Sequence, residues 1–353
     1  MTAANAYMAL GIDNAWDEAS FKQRLGVRVT GPAAEKGAPP DVGDALCFDL
    51  VGADAALANA LRRVMLADAP SVAIEAVFIV NNTSIMPCEI LAHRLGLVPL
   101  RLDPALLAPR SAATGIPAGE GAPPGAPPAG APTPASEANT VVFKLHVKCV
   151  RHPDGSVSGD RVTSGDLEWA PGGSGMPGET GCAFGASQAT RFGPGGAAPV
   201  HPDILLAKLR PGQEVELEAH AVVGAGSVHA KWSPVATAWY RLHPELAIKP
   251  GAFTGAAADL LASELPGLVR VSGSGPARAA VPAAPARGNE KLLEKARRLG
   301  GEAPFAGGGL EVARAKDHFI FTVESAGSLP PEAIVSRSLE ILERKCDRLL
   351  ERL

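Results

Sequence analysis

The side chains able to do chemistry stand singly along these 353 residues, and none is spaced to build a reaction centre. No HExxH pair offers a hydrolytic metal, and no GxxxxGK[ST] loop offers to cradle phosphates. Gly173, Gly175 and Gly178 satisfy GxGxxG, but no strand precedes them, no helix pattern follows, and Pro177 interrupts the run. Paired aspartates of the kind that hold two catalytic metals are absent as well. A cysteine–histidine nucleophile assembles in space, not in sequence, and nothing here selects one. Cys47, Cys88, Cys149, Cys182 and Cys346 form no CxxC pair, so reduced thiols in an intracellular compartment are expected. The groups left over are suited to recognition. Arg62 and Arg63 are two adjacent guanidinium forks, which fit carboxylates on a partner or a plain solvated face.

Composition narrows the classes further. Hydrophobic residues make up 46% and charged ones 20%, the balance of a folded globular chain, and only 5% are aromatic, so the core should be aliphatic. A formal net charge of −4 argues against autonomous, non-specific nucleic-acid binding. The N-terminus lacks the basic and apolar regions of a secretory signal, and no apolar run is long enough to span a bilayer. Without secretion the sequons at Asn81 and Asn82 are chance matches.

Periodicity places the recognition groups on elements. Phe21 to Val29 reads as a short strand, and ALCFDLVG as a strand with Leu46, Phe48 and Leu50 alternating. Asp54 then caps a helix whose stripe is Leu57, Leu61, Val64 and Met65, stopped by Pro70. Val72 to Val80 predicts a strand covered on both faces, with a turn at Asn81 and Asn82. EILAHRLGLVPL predicts a short helix carrying His93 and Arg94, ended by a left-handed Gly96, then a strand. Residues 108–138 and 171–199 are Gly/Pro-rich without periodicity and are expected to be disordered surface loops. Val141 to Val150 predicts a strand. HPDILLAKLRPGQEVELEAHAVVG predicts a half-exposed antiparallel hairpin turning at Pro211-Gly212, with Val215, Leu217, Ala219 and Ala221 on one face and Glu214, Glu216, Glu218 and His220 on the open one. The His229-Ala230-Lys231-Trp232 loop follows, then the strand VATAWYRL.

A flexible linker is expected over Ser272 to Arg287, a helix over Glu290 to Leu299, and a strand at DHFIFTVESAG. Pro331 suits the first turn of a final helix. There Val335, Leu339, Leu342, Cys346, Leu349 and Leu353 recur at steps of four and three, a heptad seam flanked by charges. Cys346 is read as a small buried hydrophobe within it.

These segments, taken together, resemble the alpha-like assembly subunits of archaeal and eukaryotic RNA polymerases. The resemblance rests on ALANALRRVMLADAPSVAIEAV, EILAHRLGLVPL, LRPGQE, HAKWSPVATA and FTVESAGSLPPE, and covers most of the chain. Those phrases, with NNTSI, are most like the larger alpha-like subunit shared by polymerases I and III. The resemblance implies an α+β fold: a split dimerisation domain at about 25–69 and 289–353, with an antiparallel sheet and packed helices. Between the halves it implies a mostly antiparallel β insert at 70–246 and a linker at 247–288, after an N-terminal arm at 1–24.

The same resemblance implies a non-catalytic scaffold in the nucleus and nucleolus. It would pair with a small alpha-like subunit through Leu57, Leu61, Val64, Val335, Leu339, Leu342, Cys346 and Leu349. The pair would form a platform for the second-largest catalytic subunit and for small zinc-bearing assembly subunits. Arg62, Arg63, His93, Arg94, Lys231 and Trp232 would face or support the large-subunit contact; read alone, His93 is a hydrogen-bonded structural histidine and Trp232 a plug in a local core. Relatives in polymerase II and some archaea carry a cysteine cluster in the insert. Here Cys149 and Cys182 are isolated, so no metal or other cofactor is expected. Met86-Pro87-Cys88 departs from the polar or acidic residues usual before EILAHR. A polymerase II or archaeal counterpart, or an independent coiled-coil adapter, is the alternative.

Overall fold

The structure is a computed structural model that describes residues 17–30, 45–110, 134–176, 184–185, 187–193, 195–275, 278–283 and 286–353. In chain order the elements used below are α1 (Glu18–Arg24), β1 (Gly26–Val29), β2 (Ala45–Val51), α2 (Ala55–Ala67), β3 (Pro70–Asn82), α3 (Cys88–Gly96), β4 (Val141–Lys148) and β5 (Glu168–Trp169). They continue with α4 (Ser187–Phe192), β6 (Glu214–Ala225), β7 (Val235–Ile248), α5 (Ala256–Glu264), α6 (Glu290–Leu299), β8 (Leu310–Ser325) and α7 (Pro331–Leu350). The chain divides into two compact units, Met1–Asn59 with Trp239–Thr322, and Ala60–Ala238 with Val323–Leu353. The expected cuts lay near 70, 247 and 289; here α7 falls with the unit that holds most of the expected β insert, and residues 247–288 fall with those that follow them.

In the first unit β1 and β2 are antiparallel, Gly26 opposite Val51, in a sheet of order β1-β2-β8-β7. Flanked on both edges, β2 is buried from Leu46 to Leu50 instead of alternating. The buried Asp49 is paired by Arg287 at 2.7 and 3.0 Å and by His318 at 3.1 Å, which offsets the cost of taking its charge out of water. Phe48 stacks on Phe321, ring centroids 4.9 Å apart. The strand expected from Phe21 shortens to Gly26–Val29, because Asp17 accepts a bond from the Ser20 N–H at 2.9 Å and starts α1.

The expected linker at 247–288 is a folded segment. It holds α5 and a hairpin, Val269–Ser272 against Ala279–Pro282, on a core of Phe253, Leu261, Leu265, Leu268 and Phe305. Ala258, Leu261 and Leu265 lie at helical spacing inside a stretch whose glycines and prolines masked it.

In the second unit the sheet order is β3-β6-β4-β5, and its core includes Ile74, Leu91, Leu95, Phe143, Leu145, Leu206 and Leu217. Strand β6 runs down the middle, antiparallel to β3 and to β4. The expected hairpin at Pro211-Gly212 is therefore not a pair. Leu205–Lys208 joins Arg161–Thr163, and the turn sends β6 into another sheet. With neighbours on both edges, the second half of β6 is buried throughout, including Glu218 and His220.

Strand β3 is covered at Val72, Ala73 and Ile74, but Val80 near its far end is 56% exposed. Asn81 and Asn82 belong to β3, and the turn comes one step later. There Asn82 accepts from the Ser84 N–H at 3.1 Å and donates to the Met86 carbonyl at 2.9 Å. The strand expected after Gly96 is reduced to Leu100–Arg101. Of the expected loops, 111–133, 177–183, 186 and 194 lie outside the described residues. Within the second loop, Ser187–Phe192 forms α4.

Candidate partner-docking surface

Helix α7 presents two unlike faces. Pro331 occupies its first turn, where a missing N–H costs nothing. One face is held to its unit by Ile334 and Ser338, both almost fully buried, by Arg337 with both oxygens of Asp103 at 2.8 Å, and by Lys345 with Asp68 at 2.8 Å. The other face is the seam. Val335 and Leu342 are half-buried, Leu339 is 49% exposed, Leu349 63% and Leu353 fully exposed. Cys346 is exposed as well in the lone chain, like the rest of the seam it belongs to. A side chain of this kind gains roughly 1 kcal/mol or more when a partner covers it, so the row is a ready source of association energy.

Helix α2 behaves differently. Asp54 accepts from the Leu57 N–H at 2.8 Å, the cap its sequence promises. Leu61, Val64 and Met65 are buried within the chain, and only Leu57 stays half-buried. Leu61 and Val64, expected at a partner interface, are thus core residues. Arg62 is half-buried and engaged within the chain, whereas Arg63 is exposed.

Helix α3 and the loop after β6 lie close together. His93 is exposed, with its ring 6.5 Å from that of His229. Arg94, also exposed, donates to the Leu205 carbonyl. Lys231 donates to the Ile74 carbonyl at 3.0 Å and pairs with Glu75, its ammonium 4.4 Å from the Trp232 ring centroid. Trp232 is 2% exposed and donates to the Val222 carbonyl at 3.2 Å. A buried indole cannot touch another subunit, so Trp232 is a plug that supports the loop. Gly224 makes room for it: a Cβ there would fall 2.4 Å from the ring. Gly96 is a helical residue in the last turn of α3, not a left-handed cap, and Leu97 closes the helix in the right-handed region.

The most enclosed titratable pair is one that sequence reasoning placed on a solvated face. His220 Nε2 lies 2.8 Å from Glu218, and their side chains are 1% and 5% exposed. Burial pushes the Glu218 carboxyl up, but bonds from His220, Ser174 and the Gly175 N–H outweigh it and hold it below the ordinary carboxylate value. The serine and the histidine both bond to the carboxylate and not to each other, so the histidine is not placed as a base on the serine. Gly173 and Gly175 of the glycine pattern sit in the loop this cluster pins, and Gly178 is outside the described residues.

Elsewhere, His146, Glu214 and Glu216 bring possible ligand atoms within 4.8 Å of one another. Glu214 is already held by His146 at 2.6 Å and faces Lys148 at 3.4 Å, a cation that opposes a metal ion there. Cys149 is buried, and Cys182 is outside the described residues. No helix among the described residues is long and apolar enough to cross a membrane.

The surface so built is one of contacts: an open apolar seam, with exposed Arg63, His93 and Arg94 elsewhere on the same unit. Comparison with known proteins points the same way. The chain is 37% identical to the "DNA-directed RNA polymerases I and III subunit RPAC1" of Bos taurus, over 97% of its own length and 88% of the relative's. It is 36% identical to the Saccharomyces cerevisiae protein of that name, over 96% and 90%. It is 32% identical to the "DNA-directed RNA polymerases II, IV and V subunit 3" of Arabidopsis thaliana, over 85% of each. The RNA polymerase Rpb3/Rpb11 dimerisation domain model matches residues 47–346. This chain therefore belongs to the RNA polymerase Rpb3/Rpb11 dimerisation domain family.

Proposed function

We propose that this chain is a non-catalytic assembly subunit of RNA polymerases I and III, working in the nucleus and nucleolus. It pairs with a small alpha-like subunit, and the pair carries the second-largest catalytic subunit and small zinc-bearing assembly subunits in the transcription of rRNA, 5S rRNA and tRNA. The observation that carries this reading is the open seam of α7, in a chain matching nearly the full length of relatives named for polymerases I and III. The pairing function is assigned to residues 25–69 and 289–353, with Val335, Leu339, Leu342, Cys346 and Leu349 at the contact. Arg63, His93 and Arg94 are assigned to the large subunit. Arg62, Lys231 and Trp232 act behind them, by bracing the elements that display those groups.

A counterpart in polymerase II is the second reading, favoured only by the weaker likeness to subunit 3 proteins. Affinity purification of the tagged chain from its own cells separates the two. The expected result is recovery of the largest subunits of both polymerases I and III. Recovery of polymerase II subunits alone, or of no polymerase subunit, would refute the proposal.

A further inference from the structure

The first unit holds a cleft of about 420 Å³ between α6 and the strands β7 and β8. Tyr240, Arg241, Leu242, Leu293, Arg297 and Arg314 line it, apolar surface alternating with guanidinium groups. Tyr240, Arg241 and Leu242 are consecutive, so β7 runs along the cleft, and β7 is the terminal strand of its sheet. Two carboxylates share the lining. Glu290 pairs with Arg241, and Glu294 pairs with Arg297. Arg314 is exposed, and among the described residues its guanidinium makes no ion pair or hydrogen bond, in contrast to those of Arg241 and Arg297. Three cations against two anions make this a locally positive spot on a chain whose formal net charge is −4.

We propose that this cleft docks a short acidic segment of a partner chain, seated by one or two apolar side chains. Its volume falls in the range of built binding sites but suits a few side chains, not a folded element. Guanidinium forks bind carboxylates with two parallel hydrogen bonds, and Arg241 and Arg297 are already held in place by their own glutamates. An entering carboxylate takes Arg314 directly and exchanges with Glu290 at Arg241. The outer edge of β7 can add the segment as an extra strand. A nucleic-acid backbone fits less well. Its phosphates come at fixed, close spacing and would lie against Glu290 and Glu294, whereas a peptide can set each carboxylate apart from them.

The test uses the full chain and a fluorescein-labelled peptide of alternating aspartate and leucine, followed by fluorescence anisotropy. A lysine–leucine peptide and a single-stranded oligonucleotide serve as rivals. Arg314→Glu is expected to weaken the acidic peptide by about tenfold or more, with binding also falling as salt is raised. Glu290→Gln is expected to tighten it by about threefold, since it removes the competing carboxylate. A purely structural role for the Arg241–Glu290 pair predicts no such gain. Equal binding by the wild type and Arg314→Glu overturns the proposal, as does no binding of the acidic peptide, or tighter binding of either rival. Pairing with the small alpha-like partner, measured alongside, should be unchanged in both variants.

Discussion

Helices α2 and α7 carry apolar stripes of the same kind, yet one is sealed within the chain and the other is open. In α2, Leu61, Val64 and Met65 are 3%, 4% and 0% exposed. In α7, Leu339 and Leu349 are 49% and 63% exposed, although Ile334 and Ser338 on the neighbouring face are as buried as anything in α2. Periodicity alone cannot tell these cases apart, because both give leucine and valine at steps of three and four. What separates them is the number of faces used. Helix α2 buries one stripe and presents Arg63 on another, whereas α7 buries a narrow polar-apolar face and has a second apolar stripe left over. A leftover stripe is evidence for a partner; a used stripe is evidence for a core.

That contrast can be broken by substitution. The largest effect is expected for Leu342→Asp. A carboxylate trapped in the paired seam costs roughly 3–4 kcal/mol, so heterodimer affinity should fall by two orders of magnitude or more, while the lone chain melts normally. Normal recovery of the partner in a pull-down would contradict the seam. Met65→Ala should do the reverse. Emptying a fully buried site costs about 3 kcal/mol, seen as a lower urea midpoint in the isolated chain, whereas Leu339→Ala should change its stability by no more than about 0.5 kcal/mol.

Gly224→Ala comes next, at about 2 kcal/mol, because the new methyl group meets the Trp232 ring and something must shift. A melting temperature unchanged by that substitution would show the loop to be looser than described. Acidification supplies a fourth measurement. The folded Glu218 binds its proton less readily than an ordinary carboxyl at 4.5, so its contribution is complete above that value and fades as pH falls through the lower folded value. The urea midpoint should drop on acidification less steeply in Glu218→Gln than in the wild type. Smallest of all, Lys345→Ala removes an ion pair with Asp68 that is partly exposed on both sides, and should cost under about 1 kcal/mol.

Much of the fold was legible because its signals are local. Asp54 at an N-cap, Pro331 in a first turn, the limits of α6 and the seam of α7 all depend on residues a few positions apart. The errors arose where the deciding neighbour is distant in sequence. Pro211-Gly212 makes a turn as expected, yet β6 pairs with β3, more than a hundred residues earlier, and not with Leu205–Lys208. For the same reason Glu218 and His220 alternate like solvent-facing residues but lie under the 171–176 loop. Asp49 is a polar residue alternating with Phe48 and Leu50, and only the fold sets Arg287 beside it. The residues proposed for docking divide likewise. Arg63, His93 and Arg94 are exposed, whereas Trp232 is the local plug its loop context allowed, seated against a glycine that only the fold brings opposite it.

The last turns of α7 carry a cost of their own. Leu349, Leu350 and Leu353 crowd the tip of the helix with almost nothing of their own chain to lean on. Grease that waits for a companion is also grease that sticks to strangers, so a copy made in excess of its companion is the one most prone to clump. On the proposed pairing, matched supply of the two chains is what keeps the open stripe of this helix covered.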